Sequence, residues 1–177
     1  ARVGQYYEGD GLTQTYKAGA GFRLGETGYL NVAGQLDDAG IVIRNSPIPS
    51  SFLFYFPLDA QGREILPAGN LSSSPTLPAG AAPNPREATR DNHAWINQGA
   101  APYRTEALTA SAGLEITPKV EGYAVATYAR RKSSAPQNFR HPSRDEVVRA
   151  IYPDGFTPVE AISERDYEPN AGLRGED

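Results

Sequence analysis

Cysteine and methionine are both missing from this chain of 177 residues, tryptophan occurs once and histidine twice. Without cysteine there is no disulfide framework and no thiolate metal site. No stretch approaches the roughly 18 consecutive apolar residues of a membrane-spanning helix, which excludes crossing a bilayer by helix. Positive charge is not in excess: the net charge is −4 and the pI about 5.3. That balance argues against a general nucleic-acid binder. There is no glycine-rich phosphate loop, no G-x-S-x-G elbow around Ser72-Ser73-Ser74 and no metal-ligand spacing, so no enzyme is expected. The apolar fraction is 39%, below the roughly 45–50% of a soluble domain. A barrel with a wet lumen has such a composition, and so does a loop-rich secreted β domain.

The informative stretch is Gly11–Leu36. Leu12, Gln14, Tyr16, Ala18, Ala20, Phe22 and Leu24 alternate with Thr13, Thr15, Lys17, Gly19, Gly21 and Arg23. After Gly25-Glu26-Thr27 the alternation resumes through Leu30, Val32, Gly34 and Leu36. Period-two patterning predicts a hairpin with one apolar and one polar face. Its first strand, at about 14 residues, exceeds the roughly 5–6 usual in globular sheets and suffices for the about 9–11 of a tilted bilayer-crossing strand.

A second hairpin follows, with Leu108, Ala110, Ala112, Leu114 and Ile116 on one face, a turn at Thr117-Pro118-Lys119, and a return over Glu121–Arg131. The faces of the return strand stay open, because Tyr123, Val125 and Thr127 alternate with the equally ambiguous Ala124, Ala126 and Tyr128. A last alternating strand carries Tyr167, Pro169, Ala171 and Leu173. The expected fold is all-β: a single domain, 1–177, forming part of an antiparallel transmembrane β-barrel. Its five long strands lie near 11–24, 28–37, 105–117, 120–131 and 166–175, with loops at 38–104 and 132–165. Short turns alternate with long loops, as periplasmic turns and extracellular loops do in outer-membrane barrels. Within the second loop, Ser143-Arg144-Asp145-Glu146 reads as a capping box opening a short helix.

Several pieces together resemble the barrel of TonB-dependent outer-membrane receptors. They are Gly21–Gly25 with Gly28–Asn31, Tyr55–Leu58, Pro85–Thr89, Tyr123–Arg131, Ile151–Pro158, and Asp166-Tyr167 followed by Ala171–Glu176. The ordered set covers nearly the whole chain. The resemblance implies a Gram-negative outer membrane, a barrel of 22 strands enclosing a plug, and energy from the TonB complex of the inner membrane. It also implies import of a scarce small-molecule ligand such as an iron–siderophore or an oligosaccharide. The chain shows no plug-like segment, and five strands fall short of the eight of the smallest closed barrels. The expectation is therefore a middle portion of a receptor. Its partners are the rest of the barrel and plug, membrane lipid and lipopolysaccharide; no cofactor is expected. The rival reading is a self-contained extracellular β-sandwich or adhesin-like binding module.

Candidate ligand contacts lie in the loops: Tyr55, Arg90, His93, Trp95, Arg140 and His141. Trp95 either stacks on a ligand ring or anchors its loop. Arg140-His141 with Arg130-Arg131-Lys132 forms a basic group for an anionic chelate or for lipopolysaccharide phosphate. Asp37-Asp38 and Glu87 with Asp91 lack calcium-loop spacing. The apolar run Ser51–Phe56 reads as packing inside a loop.

Overall fold

The computed structural model describes residues 1–67, 74–94 and 99–175. The chain divides into two compact units. The first comprises 1–42, 100–135 and 161–177; the second comprises 43–99 and 136–160.

The first unit is an antiparallel sheet of six strands: β1 (Arg2–Gly4), β2 (Thr13–Leu24), β3 (Gly28–Ala39), β6 (Tyr103–Thr117), β7 (Val120–Pro136) and β8 (Val159–Gly175). Two more short strands, β4 (Val42–Ile43) and β5 (Gly99–Ala100), form a separate ladder. The sheet is open and does not close into a barrel. The hairpin turn after β2 uses Gly25 at φ 64°, a conformation that glycine reaches without the Cβ clash of other residues.

Register settles which side chains share a face, because directly opposed residues on antiparallel strands point the same way. Phe22 lies opposite Leu30, Leu30 opposite Ala112, and Ala112 opposite Ala124. The next such rows run Ala20, Val32, Ala110, Ala126 and Ala18, Gly34, Leu108, Tyr128. Ala124, Ala126 and Tyr128 thus join the apolar face, which the sequence of β7 left open. The alternate rows place Asn31 with Ser111, Thr109 with Thr127, and Lys17 with Gln35 on a polar face.

Neither face of the sheet has a layer of its own unit packed on it. Phe22, Leu108 and Leu173 are 55%, 57% and 70% exposed, although apolar sheet faces in a globular domain bury themselves against a second layer. A β-sandwich would supply that layer as a second sheet. Among the described residues the other ladder is the pairing of β4 with β5.

The strands outrun their expected ends: β3 reaches Ala39, β7 reaches Pro136, and β8 starts at Val159. The rest of the two expected loops builds the second unit, which has its own core. Phe54, Tyr55 and Phe139 form its centre, with Ile48, Phe52 and Ala94 packed around them. Leu53 and Phe56 are buried as well. Ser51–Phe56 is thus interior packing, as its composition suggests.

No helix forms at Ser143. Its hydroxyl meets His141 Nδ1 at 2.7 Å instead of capping, and its amide donates to Phe54 O at 3.1 Å. Glu146 turns to Arg144, whose Nη2 and Nε donate to its two oxygens at 2.9 and 3.0 Å. Both halves of the capping box are engaged elsewhere, and the segment folds as successive turns.

Candidate functional site

A short 3-10 segment, Pro85–Thr89, organises the second unit. Asn84 caps it by accepting from the Arg86 amide, and proline stands where a helix start leaves its N–H unused. Glu87 points inward from this turn. Its Oε1 accepts from the amides of Phe54 and Tyr55 at 2.6 and 2.8 Å. Its Oε2 accepts from Arg90 Nη1 at 2.9 Å. Arg90 is the hub: it donates to the carbonyls of Phe52, Ile48 and Pro49 and to the Asn92 side chain, and it lies 4.4 Å above the Phe54 ring.

Beside this hub, the Tyr55 hydroxyl donates to Asp154 Oδ1 at 2.8 Å, and Arg86 binds the same carboxylate. Burial first, and then the Asp154 hydrogen bond, push the Tyr55 phenol up to about 12. The same hydrogen bond, followed by that of Arg86, holds Asp154 below the usual carboxylate range. His141 is only 2% exposed, edge-on to Phe52 and stacked against Phe54. Burial, with Arg144 nearby as a second cause, lowers it to about 4, so the ring is neutral at physiological pH.

These positions sort the loop residues singled out from the sequence. Tyr55, Arg90 and His141 are interior residues that hold the unit together. His93 is exposed, on a turn where Asp91 accepts from its amide at 2.8 Å and Asn45 donates to its carbonyl at 2.7 Å. Arg140 is half-buried, and its backbone bridges to Phe156. Trp95 lies outside the described residues.

The basic group does not form one cluster, since Arg130, Arg131 and Lys132 alternate faces along β7. Asp37 and Asp38 likewise point to opposite faces of β3. Among the described residues no group of three or more His, Asp or Glu side chains comes together to hold a metal ion. The Glu87–Arg90 hub escaped notice in the sequence, where its one signal is the i,i+3 spacing of opposite charges. No family model, curated protein or solved structure matches this chain at a significant level.

Proposed function

We propose that the six-stranded sheet is part of the wall of a β-barrel in the outer membrane of a Gram-negative bacterium. We further propose that the barrel is a TonB-dependent receptor importing a scarce nutrient, an iron–siderophore or an oligosaccharide. One observation carries the barrel reading: a single sheet bearing a continuous apolar band on one exposed face and polar side chains on the other. From Tyr16 to Leu24 the band runs about 27 Å along the strand at ~3.4 Å per residue, comparable with the band of about 25 Å in outer-membrane barrels. In this arrangement Leu30, Leu108 and Leu114 meet lipid, and Lys17, Arg23, Glu115 and Arg174 line the lumen. The receptor reading rests on the sequence resemblance, with the second unit on the extracellular side, as long barrel excursions are.

Because the chain lacks cysteine, a single introduced thiol reports one position. Bimane-labelled L30C, V32C and L108C should be quenched by brominated phosphatidylcholine, and N31C, A33C and T109C should not. Equal quenching at neighbouring positions refutes the membrane wall. Import is tested by disrupting the gene in its source bacterium and supplying iron only as a ferric siderophore, or carbon only as an oligosaccharide. Unchanged growth on both removes these substrate classes.

A further inference from the structure

The second unit is built from two excursions of the chain, 43–99 and 136–160, and its core is a seam between them. Phe52, Phe54 and Tyr55 come from the first excursion, and Phe139, His141 and Ser143 from the second. His141 sits in the seam with the Phe52 ring edge-on at 5.8 Å and the Phe54 ring stacked at 6.4 Å. Its ring hydrogen-bonds the Phe54 backbone, and the Ser143 amide donates to the Phe54 carbonyl. The other ring nitrogen, Nδ1, stands 2.7 Å from the Ser143 hydroxyl, which has no exposure. A neutral imidazole has one N–H; with that committed to the Phe54 backbone, Nδ1 accepts from Ser143.

A second proton would go to Nδ1 and set an N–H against the Ser143 hydroxyl, which would have to turn its own proton away inside a closed core. Among the described residues no carboxylate is free to pair with the new charge. Glu87 commits its oxygens to the Phe54 and Tyr55 amides and to Arg90. Asp154 is taken by the Tyr55 hydroxyl and Arg86. Glu146, half exposed, is held by two bonds from Arg144, and Asp145 is exposed. Cations crowd the same seam. Arg90 lies 4.4 Å above the Phe54 ring, Arg149 donates to the Pro142 carbonyl, Arg144 opposes protonation of the ring, and half-buried Arg140 precedes it in the chain. An imidazolium here is desolvated and unpaired, a cost that opening the seam removes.

We propose that His141 is an acid-sensitive latch: when its ring takes up a proton, the segment 139–147 parts from the segment 52–55 and the two excursions separate. The inference does not depend on the membrane-wall reading, since every residue of the latch lies within the second unit. Acid thereby uncovers the Phe54 ring, which is interior at neutral pH. The ring binds its proton at about 4 in the closed seam and at 6.5 once released from it. The open fraction should therefore rise roughly thirtyfold from pH 7.5 to pH 5.0. Asp154 and Glu146 are both held below the ordinary carboxylate range. Their contributions are lost only at lower pH, so this window isolates the histidine.

The test is hydrogen exchange by mass spectrometry on the intact protein at pH 7.5 and pH 5.0, with rates corrected for the intrinsic pH dependence of exchange. The reporters are the Phe54 and Ser143 amides, one on each side of the seam. Both should lose protection by roughly thirtyfold, while residues 28–39 of β3 change by less than about threefold. H141N keeps an acceptor for the Ser143 hydroxyl but takes up no proton, so its loss over the same interval should stay below about threefold. Three results overturn the latch: a wild-type loss below about threefold, a loss confined to one side of the seam, or an undiminished loss in H141N. If H141N has already lost its protection at pH 7.5, H141F, which keeps a ring against Phe52 and Phe54, takes its place under the same criteria.

Discussion

Replacing Arg90 with alanine should unlock the second unit while leaving the sheet intact. The Arg90 and Glu87 side chains are 3% and 12% exposed, and their 2.9 Å ion pair is shielded from water. Truncation leaves the Glu87 carboxylate buried without its counter-charge. It also strips a donor from three loop carbonyls, those of Phe52, Ile48 and Pro49. Breaking a buried pair from one side destabilises by about 3–5 kcal/mol, which corresponds to a fall in amide protection on the order of 10²–10⁴-fold. The reporters are the Phe54 and Tyr55 amides, which donate to Glu87 Oε1. Hydrogen exchange followed by mass spectrometry should show that loss over residues 51–58, with residues 28–39 of β3 unchanged. In the double variant E87Q/R90L the glutamine still accepts from both amides and no buried charge remains, so at least half of the protection should return. A loss below about tenfold in R90A, or no recovery in the double variant, refutes the assignment of Arg90 as the hub.

Three further outcomes follow from the same unit. His141 titrates near 4 when folded and near 6.5 when unfolded. Its contribution is therefore complete above pH 6.5 and is lost as pH falls toward 4, by about 3 kcal/mol at most. Exchange over residues 136–158 should quicken through that window, and a flat response contradicts the burial argument. For Tyr55, raised to about 12, the stabilisation is complete below pH 10 and is lost as pH rises toward 12. Y55F should abolish that alkaline sensitivity and weaken the unit by about 1 kcal/mol at neutral pH, as read by denaturant midpoint. G155A should be worse tolerated: Gly155 sits at φ 81°, and a Cβ there meets the Arg140 carbonyl and comes within 2.8 Å of the Phe139 ring. Left-handed strain of about 1–2 kcal/mol adds to overpacking of about 1–3 kcal/mol, so a change below 1 kcal/mol contradicts the geometry.

The sheet was largely readable before the structure because period-two patterning is local. Tyr16, Phe22, Leu30, Leu108 and Leu114 share a face as their alternation requires. β7 was not readable alone, since alanine, valine, threonine and tyrosine suit either side of a strand; only register with Ala110 and Ala112 assigns it. Cross-strand fit was equally hidden. Tyr29 covers Gly113 and Tyr123 covers Gly172, each so closely that a Cβ would lie within 3 Å of the ring. The second unit escaped almost entirely. Its core joins Phe54 to Phe139 and Tyr55 to Asp154 across long separations, and its prolines and turns carry no period. Its interior polar groups, Glu87, Arg90, His141 and Ser143, have the residue types of a ligand-facing surface. Partners remote in sequence, not composition, put them inside.

That second unit also imposes an order on the birth of the molecule. The β2–β3 ladder grows outward from Leu24 opposite Gly28 and is complete, at Thr13 opposite Ala39, once Ala39 has been made. The core of the other unit cannot close then, because the Tyr55 hydroxyl waits for a carboxylate 99 positions later. Until Phe139, Ser143 and Asp154 arrive, the apolar run at 52–56 is covered only in part, by Ile48, Arg90 and Ala94. The first excursion remains an unfinished half until the second excursion completes its core.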